Sequence, residues 1–246
     1  MADPVTDPCS SCAKDVRFWA IVPAAGLGRR MGADKQAIRY RGSTLCGTVV
    51  RTLLSAGVDG VVVVTRGALR EKLDLPTDPR VTVAINDCPD AEMIDSIRIG
   101  LRVLASAFRA GDRRDCWESG RGGRDLFDGV VVIPGDMPRV TSDSVRRCLG
   151  VFAIDPSRII IASHGGRRGH PLIFPCSLSA EVHASVTALN QLAAAHPELV
   201  RTVETNDDGT TYDLDYPEDL RGLENPKEAT FGTSLPGRED APPPSP

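Results

Sequence analysis

Three strand-like segments of this chain are built on continuous apolar runs. The interiors of "GVVVVT" (Gly60–Thr65) and "RIIIAS", and the run 130–133 that opens "GVVVIPGDMP" (129–138) ahead of its acidic turn, carry no polar residue at alternate positions. A strand of that kind cannot turn one face to water, which points to a largely parallel sheet with helices on both sides. "RFWAIVP" (17–23), "RVTVAI" (80–85) and "LVRTVET" read as further strands, and "HGGRRGHPLIF" as a glycine-turned hairpin or strand return. Between them lie amphipathic stretches with helical spacing. "STLCGTVVRTLLSAG" is one, and "AEMIDSIRIGLRVLASAF" is another, with its apolar face expected at Met93, Ile97, Leu101 and Leu104. "TSDSVRRCLGVFA" opens on Thr141 as the expected N-cap, and a further helix is expected from about Leu178 to Ala195. The alternation predicts a single-domain α/β fold, a mostly parallel Rossmann-like sheet flanked by helices.

Composition fits that frame and narrows the partners. A chain of 246 residues, 41% hydrophobic and 25% charged, is sized for one core. Its net charge of −4 argues against nucleic acid or an anionic membrane as partner. No apolar run approaches the roughly 18 to 20 residues of a membrane helix, and "MADPVTDPCSSCAKDVR" is too polar for a secretory h-region, so a cytoplasmic protein is expected. The seven cysteines are odd in number and scattered, which argues against a disulfide framework. Cys9 and Cys12 have the spacing of a metal or redox pair but no second pair nearby, and read as tail composition. Residues 1–16 are expected to be a flexible extension, 109–125 an exposed loop and 225–246 a disordered Pro-rich tail, leaving 17–224 as the folded domain.

In such sheets ligands collect beyond the carboxyl ends of the strands. There the chain places "IVPAAGLGRRMGADK", a glycine- and arginine-rich loop ending on Lys35 in a lysine-poor sequence. Counting from Gly26 and Gly28, a dinucleotide fingerprint would need glycine where Met31 stands. A P-loop would need Lys and Ser or Thr directly after Gly32, where Ala33 and Asp34 stand. What remains is a strand ending in small residues, Ala24, Ala25 and Gly26, whose backbone N–H groups can approach an anion closely. Arg29, Arg30 and Lys35 follow. The loop suits a triphosphate, with backbone donors along the phosphates, Arg30 neutralising charge and Lys35 as a point charge where charge builds up.

"AAGLGRRMGADK" resembles the signature loop of the nucleotidyltransferases with a glycosyltransferase-A-like (GT-A-like) fold, the nucleotide-diphospho-sugar transferase type. "GDMPRVT" (135–141), "RRGHPLIF" (167–174) and "DLDYPEDL" (213–220) follow in that family's order. Within it the combination most resembles the MobA-like branch, closest to the molybdenum cofactor cytidylyltransferases. The resemblance implies a Mg²⁺-dependent enzyme that joins a nucleotidyl group of a nucleoside triphosphate to a phosphorylated acceptor and releases pyrophosphate. It assigns the nucleotide to Ala24, Ala25, Gly26, Leu27, Gly28, Arg29, Arg30, Met31, Gly32, Lys35 and Ser96, with Lys35, Arg30 and Asp136 catalytic. Mg²⁺, a hard ion that takes one or two carboxylates plus substrate phosphates, would sit on Asp136 and Asp215, with Asp213 able to substitute or assist.

In this family a loop reading Ala-Ala-Gly goes with cytidylyl transfer, so Ala24-Ala25-Gly26 implies CTP. The segment "EMIDSIRIGL" keeps the family's Ser96 and Ile97 but carries Glu92, Ile94 and Asp95 where smaller residues are usual. His170 in "GHP" matches the acceptor-proximal turn. Molybdopterin is the implied acceptor, with transient contact to a molybdoenzyme or its chaperone. The family's "GDxGAR"-like stretch is replaced by "LAAAHPELVRTVETNDDG". "VPAAGLGRRMG" with "DKQ" also resembles the methylerythritol-phosphate cytidylyltransferases. A transferase for that or another phosphorylated metabolite such as a sugar phosphate, and a non-catalytic nucleotide- or cofactor-binding accessory protein, are the alternative readings.

Overall fold

The computed structural model of the protein describes residues 16–26, 34–109, 127–184, 187–212 and 214. The strands are β1 (Phe18–Ala24), β2 (Arg39–Tyr40), β3 (Ser43–Thr44), β4 (Gly60–Thr65), β5 (Val81–Ile85), β6 (Gly129–Val132), β7 (Ile159–His164), β8 (Arg167–Pro175) and β9 (Val200–Glu204). The helices are α1 (Leu45–Ala56), α2 (Met93–Arg109), α3 (Ser142–Ile154), α4 (Ser179–Ala184) and α5 (Leu189–Ala195). Among the described residues seven strands form one sheet in the order β5-β4-β1-β6-β8-β7-β9, and β2 pairs with β3 separately. β8 runs antiparallel to both β6 and β7, whereas the other pairings in this sheet are parallel.

The unbroken apolar strands are explained by two core layers. Ala20, Val22, Val61, Val63 and Val131 pack with Val49, Leu53, Val145 and Phe152 of α1 and α3. Ile21, Val62, Val64, Val130 and Val132 pack on the other side with Ile97, Leu101 and Leu104 of α2 and with Val182, Leu189 and Leu192. Successive residues of a strand point to opposite faces, so each strand supplies both layers.

The helix starts are local. Thr44 accepts from the Gly47 N–H at 3.0 Å, and α1 ends on Gly57 in the left-handed region at φ 96°. Thr141 caps α3 as expected, accepting from Ser144 N–H. The glycine-turned return is also present, with Gly165 and Gly166 at φ 56° and 76° between β7 and β8. Two left-handed residues in succession are what a tight hairpin needs.

Two details differ from expectation. The buried face of α2 begins at Ile94, and Met93, at the helix's first position, is 42% exposed. The helix expected over 178–195 is divided into a 3₁₀ turn (Cys176–Leu178), α4 and α5. Thr187 lies just before α5, its N–H and hydroxyl both donating to Gln191 Oε1 at 3.0 and 2.8 Å. Among the described residues no helix is long and apolar enough to cross a membrane. The N-terminal residues 1–15 with Cys9 and Cys12, the loop residues 110–126 and the tail 225–246 lie outside the described residues.

Candidate active site

The carboxyl ends of β1, β4, β5 and β6 meet at one edge of the sheet, and β8, running the other way, brings its amino end there. The start of the loop is held firmly. Ala24 is buried, Thr65 Oγ1 donates to the Ala24 carbonyl at 3.2 Å, and Gly26 is exposed. Leu27, Gly28, Arg29, Arg30, Met31 and Gly32 lie outside the described residues. The far arm resumes at Asp34, which forms an ion pair with Arg66 just beyond β4. Lys35 then opens a 3₁₀ turn (Lys35–Ala37) that leads into β2.

Lys35 is 8% exposed, and its Nζ lies 3.7 Å from Asp136 Oδ2. Asp136 follows β6 in a turn whose Gly135 N–H donates to the Pro23 carbonyl at 2.9 Å. Residues a hundred positions apart thus present an ammonium and a carboxylate at the mouth of β1 and β6. Their side chains are 10% and 20% exposed, so the pair is sheltered without being sealed. Cys46, packed beneath, has its thiol pushed up to about 12 by burial and secondarily by the Asp136 charge, so it is no nucleophile.

His170, at the amino end of β8, shares a 3.1 Å hydrogen bond between Nδ1 and the Val132 carbonyl. A carbonyl only accepts, so Nδ1 carries the proton and Nε2 of the neutral ring is the acceptor nitrogen. Val132 lies four residues before Asp136, which brings His170 to the same edge. Ser96 is buried in the first turns of α2, where its Oγ accepts from Asn86 Nδ2 at 3.1 Å. Leu214 is buried in a cluster with Tyr40 and Leu45, against which Ile38, beside the Lys35 turn, also packs. Its neighbours Asp213 and Asp215 lie outside the described residues.

Three polar groups at this edge were not among the expected site residues. Arg66 anchors Asp34, and Asn86 fixes the Ser96 hydroxyl. Gln36 is buried with no hydrogen-bond partner for Oε1, and its Nε2 lies 3.5 Å from where a Cβ on Gly26 would stand. Only the string "DKQ" hinted at Gln36.

Residues 20–201 match the model of the MobA-like NTP transferase domain. The chain belongs to that family. The MobA-like domain is a nucleotidyltransferase domain, and its GT-A-like fold is the one seen here. Among curated relatives, a 2-C-methyl-D-erythritol 4-phosphate cytidylyltransferase of Ectopseudomonas mendocina is 30% identical over 145 residues, 57% of this chain and 54% of that protein. The chain thus matches about half the length of that relative. A probable molybdenum cofactor guanylyltransferase of Opitutus terrae is 49% identical over 49 residues, 20% of this chain and 24% of that protein. The purine catabolism protein PucB of Bacillus subtilis is 25% identical over 206 residues, covering 80% and 90%. Of solved structures, Rv0371c of Mycobacterium tuberculosis H37Rv shares the fold with TM-score 0.65 at 21% identity, covering 85% of this chain and 98% of that one. Its manganese complex matches with TM-score 0.58 over the same shares of the two chains and at the same 21% identity.

Proposed function

We propose that this MobA-like domain transfers CMP from CTP to a phosphorylated small molecule, molybdopterin being the best candidate, with release of pyrophosphate. The observation that carries the reading is the sheltered Lys35 and Asp136 pair at the end of the nucleotide loop. Among the described residues no group of three or more His, Cys, Asp or Glu could form a metal cage. A single carboxylate at a strand end fits Mg²⁺ instead, because that ion completes its shell with water and phosphate oxygens. Asp136 would hold it, with Asp215 as the second ligand. Bound there, a divalent cation supplies Lewis acidity to the phosphate oxygens. The manganese complex of Rv0371c supports a divalent ion in this fold.

In the reaction an acceptor phosphate oxygen forms a bond to the α-phosphorus in line, and the bond from that phosphorus to the bridging oxygen of pyrophosphate breaks. The chain's part is positioning and charge stabilisation, with no side-chain nucleophile. The N–H groups of Ala25 and Gly26 and the loop through Leu27, Gly28, Arg29, Arg30, Met31 and Gly32 cradle the triphosphate. Lys35 moves its charge from Asp136 to the phosphates. Ser96 lies on the nucleotide side, and His170 stands on the acceptor side, where its Nε2 accepts a hydrogen bond from an N–H or O–H group of the acceptor.

Ala24-Ala25-Gly26 supports the cytosine base, as does the cytidylyltransferase relative; the short match to a guanylyltransferase supports the molybdopterin acceptor. Methylerythritol phosphate is the second reading, favoured by that same cytidylyltransferase relative and by "DKQ". The test is pyrophosphate release with Mg²⁺, each of CTP, GTP, ATP and UTP, and either acceptor. CTP with molybdopterin is the pair expected to turn over, and CTP should give the largest thermal stabilisation. Preferential stabilisation and turnover with a purine nucleotide would overturn the cytidylyl assignment.

A further inference from the structure

The turn that carries Asp136 is pinned at both ends. Its near end is tied to β1 through the Gly135 hydrogen bond. Its far end is tied to a segment nearly seventy residues later, the 3₁₀ turn Asp208–Thr211 that follows β9. Asp207 Oδ2 accepts from both the N–H and the hydroxyl of Thr141, at 2.8 and 2.7 Å, and Oδ1 accepts from Gly209 N–H at 3.0 Å. Arg139 pairs with Asp208, and its guanidinium lies over the Tyr212 ring at 4.6 Å. The contact is backbone-close, since a Cβ on Gly209 would stand 2.4 Å from the Arg139 carbonyl carbon. Inside the turn, Met137 N–H reaches Pro134 and Val140 N–H reaches Met137, each at 3.3 Å, so the tether at 139–141 is transmitted through a continuous hydrogen-bonded stretch to Asp136.

We propose that Asp207 is a positioning residue for Asp136: by holding residues 139–141 against the Asp208–Thr211 turn, its carboxylate fixes the Asp136 carboxylate opposite Lys35. Oδ2 is taken up by this tether and Oδ1 by the Gly209 N–H of Asp207's own turn, so Asp207 acts through the turn and not as a ligand itself. Arg139 reinforces it from the other side. The inference rests on the reading of Asp136 as a metal ligand given above.

The experiment titrates Mn²⁺ into the full chain with CTP present and reads free Mn²⁺ by electron paramagnetic resonance, alongside thermal unfolding. Groups that orient a ligand from outside its coordination shell change metal affinity by roughly 10- to 100-fold. Asp207→Ala should weaken Mn²⁺ binding by about tenfold at a temperature where the chain is folded, and Asp207→Asn, which keeps an acceptor oxygen, should restore most of it. If Asp207→Ala does not fold, Arg139→Ala takes its place, since it leaves the Asp207 hydrogen bonds and the α3 cap intact; it should also weaken binding. Wild-type Mn²⁺ affinity in the folded variant, with Asp136→Asn having lost binding, would overturn the positioning role and leave the metal reading standing. Wild-type affinity in Asp136→Asn itself would overturn the metal reading, and the inference with it.

Discussion

Replacing Lys35 by methionine removes the ammonium and keeps most of the apolar stem. The Lys35 and Asp136 charges are 3.7 Å apart with side chains only 10% and 20% exposed. At an effective dielectric of about 20, two unit charges at that distance interact by about 4.5 kcal/mol before desolvation is subtracted. In the proposed complex the ammonium exchanges the carboxylate for phosphate oxygens, so the transition state loses a preorganised charge donor. Such a loss costs about 2.7–4 kcal/mol, or roughly 10²- to 10³-fold in rate. Water can reach the 20% exposed Asp136 side chain when the ammonium is gone. The stability cost should therefore stay within about 2 kcal/mol, a drop in Tm of no more than about 8 °C. The assay is single-turnover pyrophosphate release at saturating Mg²⁺ and CTP, with circular dichroism as the check on folding. Asp136→Asn should fall by at least as much, and the double variant no further than about the worse single one, because the two residues act as a unit. Turnover of a folded Lys35→Met variant within about threefold of wild type, less than 1 kcal/mol in barrier, would show that the ammonium does not stabilise the transition state.

Two glycines should respond in opposite directions. A Cβ on Gly169 would stand 1.9 Å from the Thr210 carbonyl oxygen, so Gly169→Ala should destabilise by about 1–3 kcal/mol in chemical denaturation. Nothing lies within 4 Å of a Cβ on Gly150 in α3, so Gly150→Ala should stabilise by about 0.5–1 kcal/mol. His196 donates to Glu181 at 2.8 Å, and that hydrogen bond holds its pKa above 6.5. A pKa raised on folding adds stability that is complete below the unfolded value of 6.5 and is lost as pH rises through the folded one. Tm should therefore fall across that window in wild type and lose this component in Glu181→Gln; an unchanged profile would remove His196 as the cause. In brief iodoacetamide labelling at pH 8, exposed Cys88 should be modified while Cys46 and Cys148, both pushed up to about 12 by burial, stay unmodified until unfolding.

What the sequence conveyed depended on whether a feature is periodic or pairwise. Continuous runs such as "GVVVVT" announced strands buried on both faces, and Gly165-Gly166 announced the strand return, because each is encoded in adjacent residues. The break between α4 and α5 was silent, because Val182, Leu189 and Ala193 keep helical spacing across it and all stay buried. Met93 misled for a related reason: it lies one turn before Ile97, as a core residue would, but the helix begins there and Ile94 takes the buried position. The Lys35 and Asp136 pair could be anticipated only through the order of family motifs, since nothing local links residues so distant. Arg66 on Asp34, and Asp207 on Thr141, are single long-range contacts with no periodicity to reveal them.

In the proposed reaction this site makes a phosphoric anhydride by nucleotidyl transfer. The most direct test is ³¹P NMR of the protein with Mg²⁺, CTP and a phosphorylated acceptor, molybdopterin first. Pyrophosphate and a pair of coupled diphosphate resonances, the joined acceptor and CMP, should appear together and only when all three are present. Inorganic phosphate alone, or pyrophosphate with CMP and no coupled product, would contradict that reaction by showing hydrolysis in place of transfer.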